Sequence, residues 1–114
     1  MSKRKRPRAS KKIHVWLSYD MGRAGYDDLY AWLNGRQASE CGNSTAYFLF
    51  DRAKSGKRIS SALKREIESA MNIAADTRMF IIYREVGGQL KCTWLYGQPK
   101  ANAPWANVPP FIVP

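Results

Sequence analysis

Polar and apolar positions alternate cleanly in "KIHVWLSYD", residues 12 to 20. Ile13, Val15, Leu17 and Tyr19 share one side; His14, Trp16, Ser18 and Asp20 share the other, the period-two signature of a strand. Gly22 and Gly25 bracket a loop. "YDDLYAWLN" then sets Tyr26, Leu29, Tyr30 and Leu33 at helical spacing, with Asp27 and Asp28 in the first turn, where the helix dipole favours acids. Asn34-Gly35 is read as the stop of this helix. A short strand at about 36 to 41, a tight Gly42-Asn43 turn and a firmer strand over 45 to 51 follow. After the polar loop "RAKSGK", the positions Ile59, Leu63, Ile67, Ala70, Met71 and Ala74 mark an amphipathic helix. "RMFIIYRE" reads as a buried strand, "VGGQ" as a turn and "LKCTWLYG" as its hairpin partner.

The element order is thus β-α-β-β-α-β with one further strand. Two helices so spaced cover one face of an antiparallel sheet, an α+β, ferredoxin-like arrangement with an extra C-terminal strand. At 114 residues, 45% of them apolar, the chain supports a single domain with a modest core. That domain is expected over 12–97, behind a basic arm at 1–11. The stretch 98–114 holds five of the six prolines and is expected to be an extended tail, pinned to the domain by Trp105 and Phe111. With both helices on one side, the strand-1 face carrying His14 and Trp16 is left open. The apolar runs at 45 to 51 and 79 to 84 make that face too apolar to stay in water. A homodimer through His14 and Trp16 is the favoured cover; the proline-rich tail and nucleic-acid bases are the others.

Charge adds a second feature. Of 19 basic residues, seven (Lys3, Arg4, Lys5, Arg6, Arg8, Lys11 and Lys12) fall in the first twelve positions, where there is no acid. The rest of the chain holds 12 basic and 9 acidic residues, net +3. The basicity is concentrated in an arm, which suits a phosphate-rich partner bound by counterion release with little sequence readout. The arm is therefore the expected nucleic-acid contact, although a solubilising leader is the plainer alternative. Nothing resembles a transmembrane run or a signal peptide, so no membrane partner and a cytoplasmic location are expected. Cys41 and Cys92 lack metal-type spacing and fit a cytosolic thiol pair better than a disulfide. With a single histidine, a zinc site is not expected. No GxSxG, Walker loop or activated cysteine is present.

Asp20 ends the first strand just where the chain turns into "MGRAG". It can be a turn residue accepting loop amides, a partner contact or a metal ligand. "LSYD" together with the element order resembles, over roughly residues 12 to 97, the small CRISPR-associated adaptation nucleases and their relative, the endoribonuclease antitoxin of type V toxin systems. The resemblance implies a ferredoxin-like homodimer whose paired Asp20 carboxylates share a magnesium ion for phosphodiester cleavage, making Asp20 the catalytic and metal residue. The chain departs from that pattern in its acidic helix start, "GYDDLY", and in a strand ending "FLFD". Asp51, closing that strand, is a conceivable second ligand, since magnesium-dependent hydrolysis calls for two or more carboxylates. Two function classes follow. One is a non-catalytic dimeric adaptor, antitoxin or antagonist of a bacterial or phage nucleic-acid enzyme, needing no cofactor. The other is a magnesium-dependent nuclease.

Overall fold

The computed structural model describes residues 12–51, 58–85 and 87–111. The arm cations Lys3, Arg4, Lys5, Arg6, Arg8 and Lys11 lie outside the described residues, as does the polar loop expected at 52–57. The fold is α+β, with elements β1 (Lys12–Asp20), α1 (Tyr26–Gly35), β2 (Ser39–Glu40), β3 (Thr45–Asp51), α2 (Ile59–Ala70), β4 (Arg78–Glu85) and β5 (Leu90–Tyr96). The strands form a single five-stranded sheet in the order β2-β3-β1-β4-β5, with every pairing antiparallel. β3 lies between β1 and β2, and β1 lies between β3 and β4. This is the interleaving of two β-α-β units that the element order called for. β5 extends the sheet as a hairpin from β4, turning through Gly87 and Gly88, whose amide donates to the Glu85 carbonyl at 2.7 Å.

The odd-numbered residues of β1 form the centre of the core. Ile13, Val15 and Leu17 have no exposed surface, and Tyr19 is buried beside them. Register carries the same face into Ala46, Phe48 and Phe50 of β3 and into Met79 and Ile81 of β4. Leu29 and Leu33 of α1 and Ile59, Leu63 and Ile67 of α2 close over that face. Each of these large side chains contributes about 1.5–3 kcal/mol by leaving water, which is why the helices sit on this side.

Three element boundaries differ from expectation. The expected strand at 36 to 41 shrinks to Ser39–Glu40, because α1 is finished differently. α1 ends at Gly35 as expected, but the left-handed residue that follows is Gln37, at φ +58°. Gln37 donates to the Asn34 carbonyl and Ala38 to that of Leu33, both at 3.0 Å, so residues 36–38 are occupied in capping the helix. α2 stops at Ala70, short of Ala74: Met71 is fully extended yet stays buried, since its side chain reaches the core from the connecting segment. The proline-rich tail is not extended throughout. It turns at Ala103–Ala106 and Trp105–Val108, and Trp105 and Phe111 are 72% and 89% exposed, so neither pins it down. No helix among the described residues is long and apolar enough to cross a membrane.

Cys41 and Cys92 are free and exposed. Cys41 follows β2 and Cys92 lies in β5, at opposite edges of the sheet and four strand spacings apart, about 19 Å. The intrachain disulfide left open by the sequence is therefore ruled out by topology.

Candidate nucleic-acid interface

The even-numbered side chains of β1 face away from the helices, and cross-strand register assembles a surface around them. His14 lies between Leu49 of β3 and Arg84 of β4; Trp16 lies between Tyr47 and Ile82. Ser18 lies between Thr45 and Phe80, and Phe80 is followed on β5 by Trp94. Large flat side chains thus occupy two clusters. In the first, Trp16 and Tyr47 stand 5.2 Å apart by ring centroid, and His14 stacks within 5.9 Å of Tyr47 and 6.2 Å of Trp16. The His14 Nδ1 and the Tyr47 hydroxyl share a hydrogen bond of 2.7 Å, which fixes both rings. In the second, Phe80 meets Trp94 edge-on at 5.0 Å, and the Arg78 guanidinium lies over the same indole at 5.2 Å. Leu49 and Ile82, at 47% and 40% exposure, keep the face apolar between the rings.

The charges on this face sit at its ends. At the start of β1, Lys12 approaches Asp51 at 3.9 Å, and Arg84 stands opposite His14, two residues further along. Lys12, counted with the arm in the sequence, is thus the first residue of the central strand, and the arm enters the domain here. At the other end, Asp20 pairs across to Arg78 in register, but the Arg78 side chain turns onto Trp94 and donates from Nε to the Gln98 carbonyl at 3.3 Å.

Asp20 is exposed, and its Oδ1 accepts the Gly22 amide at 3.0 Å, an Asx-type turn that starts the β1–α1 loop. Gly22 holds φ +72°, and a Cβ there would collide with the Asp76 carboxylate. Two carboxylates from opposite halves of the chain therefore close on one glycine. Sequence reasoning missed Asp76, because nothing in its spacing ties it to Asp20. Asp51 is at the other end of β1, eight residue steps from Asp20 or about 26 Å. The pairing of Asp20 with Asp51 as two ligands of one ion is corrected by the antiparallel register, which sets Asp51 opposite Lys12. Among the described residues no three His, Cys, Asp or Glu side chains come together as a metal-binding group. At this end of β1 a magnesium ion would find the carboxylates of Asp20 and Asp76, which both approach Gly22.

On the covered side, burial and then the neighbouring Tyr30 push the Tyr19 hydroxyl above its ordinary pKa. Burial, and then the hydrogen bond from Tyr96 to Glu68 at 2.7 Å, do the same to Tyr96. Neither hydroxyl belongs to the open face.

Comparison with known proteins gives no matching family model, no matching curated protein and no matching solved structure.

Proposed function

We propose that the chain is a small, non-catalytic nucleic-acid-associated interaction protein, a dimeric adaptor or antagonist, holding phosphate through its basic arm and presenting the open sheet face to its partners. One observation carries this reading. Seven cations in twelve residues lead into the first position of the central strand. The exposed side of that strand is aromatic and is bordered by Arg78 and Arg84. Phosphate neutralisation by the arm supplies affinity and orientation, while the sheet face provides flat surfaces that bury a partner. In this reading Asp20 shapes the β1–α1 loop and no bond is made or broken.

The test is removal of residues 2–11, which takes away six positive charges and leaves β1 and its Lys12 intact. Binding to labelled RNA and DNA is followed across a salt series. The slope of log K against log salt should flatten by up to about five, and affinity at low salt should fall sharply. An unchanged slope would move binding onto the folded domain and refute the role given to the arm. Absence of binding by the intact chain would refute the reading as a whole.

A further inference from the structure

At the β5 edge of the open face, the described part of the C-terminal tail folds back toward Trp94. The result is a recess of about 370 Å³ lined by Trp94 and Trp105, by Arg78 and Lys100, and by the small apolar tail residues Pro99, Ala103 and Pro104. From this geometry we infer that the recess is a nucleotide-binding slot. It would take one unpaired base of a single-stranded nucleic acid against the two indoles and its phosphate against Arg78 and Lys100. The proposal rests on the nucleic-acid reading above and names the strand form and the place of contact.

Three observations select this occupant. The recess falls within the usual size range of small-ligand sites and is larger than a nucleobase needs. Its two largest lining groups are flat π-surfaces, and stacking on such surfaces accepts any base. Both charged residues that line it are positive, so an acidic ligand is favoured and a second copy of this basic chain is not. The slot is also partly pre-organised. Trp94 meets Phe80 edge-on and has the Arg78 guanidinium over its ring, and Arg78 is itself tied to the Gln98 carbonyl. Trp105, by contrast, is 72% exposed, an indole with no described role in the core. Bases of a duplex are stacked on one another and cannot enter, so the slot selects single strands.

The probes are a short oligothymidylate, the same-length abasic oligomer and a duplex, each titrated by anisotropy and by tryptophan fluorescence. Intact protein should bind the oligothymidylate more tightly than the abasic strand, with quenching. Trp105→Ala, at a residue outside the core, should weaken oligothymidylate binding about five- to a hundredfold and leave abasic and duplex binding unchanged. Lys100→Ala should weaken the abasic and base-bearing strands alike and reduce the salt slope by about one. Equal affinity for base-bearing and abasic strands, or an equal loss on all three probes in Trp105→Ala, would overturn the slot while leaving the arm's role standing. So would a Trp105→Ala variant that binds all three as the intact protein does. Binding to none of the probes by intact protein would remove both proposals together.

Discussion

Arg36 holds the two helices and the sheet together, and its replacement separates two kinds of force. The guanidinium lies 5.2 Å from the Trp32 ring centroid, 5.4 Å from that of Phe48 and 5.2 Å from that of Phe50. The same group donates from Nε to Glu66 on α2 at 2.7 Å, closes a second contact from Nη2 to the same carboxylate oxygen, and reaches the Leu49 carbonyl. The Arg36 side chain is only 20% exposed, whereas that of Glu66 is 38% exposed. An ion pair with one partner so open to water contributes about 0–1 kcal/mol. The ring contacts are better desolvated and contribute about 1–2 kcal/mol between them, with further packing from the aliphatic stem. Arg36→Ala should therefore cost about 2–3 kcal/mol, roughly 10–20 °C in melting temperature for a domain of this size. Glu66→Gln keeps an acceptor and should cost no more than about 1 kcal/mol. Arg36→Lys keeps the charge but loses the planar stack, and should fall between them. Urea unfolding followed by circular dichroism measures all three. If Glu66→Gln destabilises as much as Arg36→Ala, or if Arg36→Lys costs nothing, the ion pair and not the ring stack dominates and the argument fails.

The folded protein raises the pKa of Tyr96 by burial and by Glu68, so it holds that proton more tightly than the unfolded chain does. The resulting stability is present below the unfolded value of about 10 and is lost as pH rises through the folded one; alkaline unfolding above about pH 10 should be shallower in Tyr96→Phe than in the intact chain. Asp20→Asn retains an acceptor for the Gly22 amide and should cost little, whereas Asp20→Ala should lose about 0.5–2 kcal/mol, the range for a local side-chain cap. Purified chain should not cut labelled RNA or DNA with magnesium, manganese or chelator; metal-dependent cutting that vanishes in Asp20→Asn would replace the present reading with the nuclease. Light scattering at tens of micromolar should give a dimer mass, and Trp16→Glu, which sets a charge among Tyr47, Ile82 and His14, should give a monomer.

What the sequence made legible follows from period. β1, β3, β4 and β5 alternate or run apolar between turn residues, and each forms where the pattern sets it, as does the start of α2 at Ile59. Failures fell where the chain departs from the usual residue for a local geometry. Asn34-Gly35 ends the helix as expected, yet the left-handed position that follows is taken by Gln37, at a conformational cost that only the surrounding packing can offset. Arg36, placed in a strand by its neighbours, is a helix cap whose function depends on Glu66, 30 residues away. Of the candidate site, the alternate face of β1 and the Asx-type role open to Asp20 could be read directly. The Trp94–Arg78 stack could not, since it depends on how far β5 slides along β4, where a bulge at Met79/Phe80 shifts the register. The recess at Trp105 depends on turns in a tail whose prolines suggested only extension.

β1 carries both halves of the problem in one nine-residue strand, with odd positions sealed in the core and even positions displayed. This division decides which changes can test function without testing stability. Ile13, Val15 and Leu17 have no exposed surface, so truncating any of them leaves a cavity, at about 2–5 kcal/mol for Ile13 or Leu17 cut back to alanine and less for the smaller Val15. His14, Trp16 and Ser18 are half-buried or exposed, and their loss removes contacts from one side only. The same partition runs across the sheet, because register sends Tyr47, Ile82, Phe80 and Trp94 to the displayed face and Phe48, Ile81 and Met79 to the sealed one. Aromatic rings on a sealed face are accounted for by packing. On the displayed face they have no core to fill, so changes at Trp16 and at Trp94 test the proposed dimer contact and the proposed base contact separately.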